Sequence, residues 1–199
     1  MQTDIEDSAA ELATVVVTRI CHDVAGLLSA LSGTLELAAE DPEAAELANE
    51  TAASLVARVQ LLRAAWGGGA GPLDAAAIAA FAQGLPGIER RRLDLADLKG
   101  ELDEVPARLA LCLLLAAVPG APHGGSIRIA NAARGGVHIT LLGVGAAWPE
   151  ALAQCVATRA AWRKATQPRT LPAPLTCRLA AQAGWRITLD GATATAVPA

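Results

Sequence analysis

Aromatic side chains are nearly missing: the 199 residues hold four Trp, one Phe and no Tyr. Any core must therefore be built from Ala, Leu, Val and Ile, small side chains that suit closely packed helices. Charge is also sparse, at 18% of residues with a net charge of −4. No run of Lys or Arg forms a nucleic-acid footprint. The densest basic cluster, Arg90 to Arg92, sits beside Glu89 and Asp94 and reads as a solvated loop or strand entry. The four cysteines form no C-x-x-C pair and have no His at zinc-finger spacing, so free thiols in a reducing cytoplasm are expected. The start, Met1 to Asp7, is acidic and polar, unlike a signal peptide. The longest apolar stretch, Leu109 to Val118, is about half of what spans a bilayer. These absences point to a soluble cytoplasmic protein with neither a membrane nor a nucleic acid as partner.

What is present is apolar aliphatic mass. Hydrophobic residues make up 53% of the chain, which supports sizeable cores and excludes a largely disordered polypeptide. From about Asp7 to Ala39, the residues Ala13, Val16, Val17, Ile20, Val24, Leu27, Leu28, Leu31 and Leu35 recur at spacings of three and four and predict one long helix. Asp41-Pro42-Glu43 starts a second helix: Asp41 can cap it, Pro42 fits its first turn, and Glu43 complements its dipole. Its stripe of Leu47, Leu55, Val59 and Leu62 carries it to about Trp66. So short a connection makes the two helices antiparallel. One such hairpin has a partly open core, and two would close a four-helix bundle, which favours a homodimer.

Gly67 to Pro72 reads as a linker. Beyond it the texture is mixed. Helices are expected over 74–83, 106–118, 149–162 and 175–183, the last after a Pro-rich loop over 168–174. Strands are expected near 92–95 and over 126–130, 137–142, 185–189 and 193–197, with turns at Arg134-Gly135-Gly136 and Asp190-Gly191. This order predicts a sheet with helices on one face. The expected fold class is thus α+β: an antiparallel helical hairpin over residues 1–68, then an α/β sandwich over residues 69–199.

One residue in the first helix stands apart. At about 100° per residue, His22 lies nearly opposite the apolar stripe and faces solvent with Ser8, Glu11, Thr18, Ser29, Gly33 and Glu36. Ala25 and Gly26 follow one turn later. A glycine inside a helix costs about 1 kcal/mol relative to Ala. Gly26 and Gly33 either leave clearance for another protein's surface or are tolerated drift. An exposed imidazole offers a nucleophilic nitrogen suited to phosphoryl relay. Asp23 could accept from one ring nitrogen and leave the other free. On the residues alone, His22 is either such a nucleophile or a solvated surface histidine beside an incidental acid.

The stretch Arg19-Ile20-Cys21-His22-Asp23, with Leu35-Glu36-Leu37 further on, resembles the signature of the ChpT-type histidine phosphotransferases. These are relatives of the dimerisation and phosphotransfer domain of bacterial sensor kinases. The run Arg58 to Gly67 resembles that family's R-x-x-x-[F/L]-R-x-A-[F/W]-G ending. The resemblance extends over the whole chain through the order of its elements. Two positions depart from it: Leu27 stands where the family usually has Pro, and Gly33-Thr34 where it often has Asn-Gly. The resemblance implies that His22 is the phospho-acceptor, with Asp23 as its acidic partner. With His22 in that role, the small and polar residues flanking it on the outer face, Arg19, Gly26 and Ser29, are expected to meet receiver domains. The implied partners are the receivers of a hybrid histidine kinase and of response regulators, together with a second copy of the chain.

The C-terminal half resembles the ATP-binding domain of sensor kinases, in degenerate form. Such domains need an Asn on the long helix to hold Mg²⁺ and a D-x-G-x-G loop for adenine. Here the helix residues 107–115 include no Asn, Asp or Glu, and Leu142-Gly143-Val144-Gly145-Ala146 keeps glycines without an Asp. His123 and His138 read as a turn residue and an outward strand residue. No resident cofactor or metal is expected, Mg²⁺ being supplied by the receiver, and no ATP-dependent kinase activity. The alternative is a non-catalytic dimeric scaffold or kinase inhibitor that binds receiver or kinase domains.

Overall fold

The computed structural model of the chain describes residues 2–163 and 169–199. The first helix, α1 (Gln2–Leu37), and the second, α2 (Pro42–Leu62), form the expected antiparallel hairpin. Between them the amides of Glu40 and Asp41 both donate to the Leu37 carbonyl, ending α1 slightly before Ala39. Asp41 then caps α2 by accepting from the Glu43 amide at 2.9 Å, with Pro42 in the first turn. Both halves of this turn were readable because capping chemistry is local.

The predicted stripe of α1 divides on folding. Ile20, Val24, Leu27 and Leu31 are half-buried, whereas Val17, Leu28 and Leu35 remain exposed. Val56 and Val59 on α2 are exposed as well. By composition, the Ala10–Leu37 part of α1 is long and apolar enough to cross a membrane, with a mean hydropathy of 1.4 over its most apolar window. Arg19, His22 and Asp23 punctuate it, so it holds no long uninterrupted apolar run. Those residues lie on one flank, which makes the helix amphipathic.

The last turn of α2 widens into a π-helical turn, Arg63–Gly67, which ends where Gly68 takes a left-handed φ of 79°. Its carbonyls point at the long helix of the C-terminal half: Arg108 Nε donates to Ala65 O and Arg108 Nη2 to Trp66 O. Leu61, Leu62, Ala64 and Ala65 belong to the same core as the C-terminal half. The hairpin is therefore packed onto that half rather than merely tethered to it.

The remaining helices are α3 (Ala75–Ala82), α4 (Glu104–Ala117), α5 (Glu150–Ala157) and α6 (Pro172–Gln182). The strands are β1 (Arg92–Asp94), β2 (Ser126–Ala132), β3 (Gly136–Leu142), β4 (Trp185–Asp190) and β5 (Thr193–Pro198). They form one sheet in the order β1-β2-β3-β5-β4, with β1 parallel to β2 and every other pair antiparallel. The α4 residues Leu109, Leu111, Leu113 and Leu114 are fully buried, as are Ile127, Ile129 and Ile139 on the strands. Full burial of each such side chain contributes about 1.5–3 kcal/mol. The other sheet face carries Arg128, His138, Thr140 and Thr195, so His138 is outward as expected and bonds Thr195 Oγ1 at 2.8 Å. The expected α+β class, with helices on one face of the sheet, is what the chain adopts.

In the C-terminal half, two expected boundaries moved most. The helix expected over 149–162 stops at Ala157, because Thr158 is extended and its hydroxyl accepts from the Ala160 amide, starting a separate short turn. The Pro-rich loop is partly helix: Pro172 and Pro174 fall in the first turn of α6, where no amide donor is required. Pro168 lies outside the described residues. The Arg90–Arg92 cluster is used locally: Arg90 lies 3.4 Å from Glu89, Arg91 donates to Ala121 O and Gly87 O at 2.7 Å, and Arg92 lies 3.9 Å from Asp94.

Candidate functional site

His22 sits midway along α1 with its side chain 82% exposed, on the outer flank that helical geometry required. Its Nδ1 lies 3.4 Å from Asp23 Oδ1, and this long contact is the ring's hydrogen bond among the described residues. A carboxylate can only accept, so in a neutral ring this contact favours the tautomer with its proton on Nδ1 and its lone pair on Nε2.

Asp23 is far less exposed, at 11%, because it turns inward toward α2. Its Oδ2 accepts from Arg19 Nε, one helical turn back, at 2.9 Å. The same oxygen forms a close ion pair with Arg58 Nη2. Burial alone would push the Asp23 carboxyl up. The hydrogen bonds and charges of Arg58, then Arg19, outweigh it and hold the group below the ordinary value, so it stays ionised. Arg58 is itself only 4% exposed, and its Nη1 donates to the Gly84 carbonyl at 3.2 Å.

The expected receiver-facing set is thereby divided. Gly26 and Ser29 are exposed. Nothing lies within 4 Å of where a Cβ would stand at Gly26 or Gly33, so neither glycine is required by this chain's own packing. Arg19 differs from expectation: it is only 20% exposed and is held against Asp23, because the (i, i+4) spacing on one helix face brings the pair together.

Sequence reasoning did not select Arg58 as a site residue. Its signal was a single charge between Leu55 and Leu62 on the stripe of α2 that faces α1, where an unpaired cation would not survive burial.

Two concavities flank His22. One, of about 510 Å³, lies between the hairpin and the C-terminal half, walled by Trp66, Leu115, Pro149, Leu152 and Pro172. The other, of about 440 Å³, runs past Gly26, Ser54, Pro86 and Glu89. His22 and Asp23 form part of both walls. The ring therefore stands on a ridge between hollows and is not sealed beneath either half of the chain. Among the described residues, no group of three or more His, Cys, Asp or Glu could hold a metal ion. Burial raises the Cys112 and Cys177 thiols to about 12, which makes them inert packing residues.

Residues 75–195 match the sequence model of the family described as "Histidine phosphotransferase C-terminal domain". The chain belongs to that family. This is the ChpT-type family that the motif around His22 resembles. A solved structure described as a bacterial phosphotransferase superposes with a TM-score of 0.72 at 20% identity, covering 94% of this chain and 96% of that one. The likeness shows a shared fold over nearly the whole chain. A histidine kinase domain from the Erythrobacter litoralis blue-light activated histidine kinase is more distant, with a TM-score of 0.41 at 14% identity over 97% of this chain and 93% of that one. That likeness is too loose to establish a fold. No curated protein matches this chain. Family membership supports a role in phosphorelay.

Proposed function

We propose that the protein is a histidine phosphotransferase that carries a phosphoryl group on His22 between receiver-domain aspartates. The donor would be the receiver of a hybrid histidine kinase and the acceptors those of response regulators. The observation that carries this reading is the placement of His22: an imidazole 82% exposed, its Nδ1 turned to a carboxylate and its Nε2 open.

In the forward step the Nε2 lone pair attacks the phosphorus of a receiver's aspartyl phosphate. The N–P bond forms as the P–O bond to the receiver breaks, and the receiver's carboxylate leaves with the electron pair. The ring keeps its Nδ1 proton and becomes cationic, a charge that Asp23 is placed to stabilise. A cationic ring is a good leaving group, so the second receiver's carboxylate takes the phosphoryl in the reverse sense. Both receivers bring their own Mg²⁺. This chain supplies a positioned nucleophile and a docking surface, and positioning is most of what phosphoryl transfer needs.

Gly26 and Ser29 are exposed beside the ring and would meet the receiver, with the flanking hollows taking its projecting side chains. The exposed apolar residues of α1 and α2 support a homodimer closed through a four-helix bundle. Phosphoryl would come from receivers and not from ATP, because the central part of α4 offers no oxygen ligand for Mg²⁺ and the Gly143–Gly145 loop no carboxylate for adenine. Such a relay works in the cytoplasm, where four unpaired thiols are at home.

The test is transfer from a phosphorylated receiver. The parent protein should acquire acid-labile label, and His22→Ala should acquire none. Equal labelling of the two would remove His22 from the reaction. A variant that binds the receiver as well as an inert parent does would leave a scaffold.

A further inference from the structure

Arg58 is the most deeply buried charge near the reacting ring, only 4% exposed, and makes no hydrogen bond to the ring itself. Its guanidinium is shared between two elements. One nitrogen holds Asp23 Oδ2 on α1, and another donates to the carbonyl of Gly84, in the loop that follows α3. That loop is pressed hard against α2: a Cβ on Gly84 would lie 2.3 Å from the Ala57 carbonyl oxygen. The guanidinium plane is thereby fixed from both ends.

The consequence falls on Asp23. With Arg58 and Arg19 both on Oδ2, that oxygen is committed inward. The other oxygen, Oδ1, is left pointing outward at His22 Nδ1. Without Arg58 the carboxylate could rotate about its last torsion and offer His22 either oxygen or none. Lysine would not replace it, since a point ammonium lacks the planar fork that serves two acceptors at fixed angles.

We propose that Arg58 is a positioning residue for phosphoryl transfer, acting through Asp23 to hold the His22 ring in the tautomer whose Nε2 is free to attack. This places one determinant of reactivity on α2 and ties it to the seating of the C-terminal half.

The experiment is ¹⁵N spectroscopy of the His22 ring in the full-length protein under alkaline conditions that leave the ring neutral, alongside rates of phosphoryl uptake from a phosphorylated receiver. The parent ring should be chiefly the Nδ1–H tautomer. Arg58→Lys should move it toward the mixture of a free imidazole and slow uptake on the order of 10- to 100-fold, the scale of a lost positioning contact. In an Asp23→Asn background the same change should slow uptake by no more than about twofold, because both substitutions break one chain of contacts. An unchanged tautomer in Arg58→Lys, or losses that multiply independently of Asp23, would reduce Arg58 to a structural residue. Should Arg58→Lys fail to fold, the parent spectrum still decides: a ring chiefly in the Nε2–H form contradicts the proposal. The rate arm rests on His22 being the phosphoryl acceptor, whereas the tautomer arm does not. Absence of label on the parent would therefore count against the relay reading, and the spectra would judge Arg58 separately.

Discussion

At the scale of single residues, the site is organised by a carboxylate that faces two ways. Asp23 meets a solvent-exposed imidazole on one side and two guanidinium groups on the other. Because those cations depress its folded pKa below the ordinary 3.8, Asp23 contributes stability above the unfolded value. That contribution disappears as the pH falls through the lower, folded value. Asp23→Asn should therefore melt earlier than the parent at neutral pH, by about 1–3 kcal/mol for a buried cation left with a weaker acceptor. The gap should narrow steadily once the pH drops below about 4, where the unfolded carboxyl protonates. Thermal unfolding of both proteins across that range checks the sign. A gap that widens toward acid would mean that Asp23 is not held ionised by Arg58 and Arg19.

At the scale of elements, the junction between α2 and the loop after α3 is held by a glycine chosen for clearance. The φ of Gly84 is not left-handed, so conformational freedom is not its reason for being there. Its backbone simply lies where no side chain fits beside Ala57. Gly84→Ala should destabilise the protein by about 1–3 kcal/mol through overpacking, read as a lower urea midpoint. A midpoint within error of the parent would show that the loop can move away from α2 at no cost. The elements also show where sequence patterns stop. Apolar spacing located α1 and α2 because one face of each packs against the other. It said nothing of the π-helical turn at Arg63–Gly67, whose Ala65 and Trp66 carbonyls accept from Arg108 on a distant helix.

At the scale of the whole molecule, the hairpin is an incomplete core. Leu28 is 49% exposed and Val56 55%, on faces that the chain does not cover itself. A second copy would cover them and leave His22 on the opposite flank of α1. The parent should therefore show twice the chain mass of 20.2 kDa by light scattering. Leu28→Asp combined with Val56→Asp should give the single-chain mass with helical content retained. A parent that runs as a monomer at micromolar concentration would rule out the bundle.

The sequence by itself determined the hairpin, the capped turn at Asp41, the five strands and the exposed position of His22. Each follows from periodicity or capping, and those act over a few residues. Only the tertiary structure decided that Arg58 reaches across to Asp23 and that the end of α2 shares a core with the sheet. These are pairings between residues far apart in the chain or on different helices. Their energies depend on desolvation and distance, and neither quantity exists until the chain has folded.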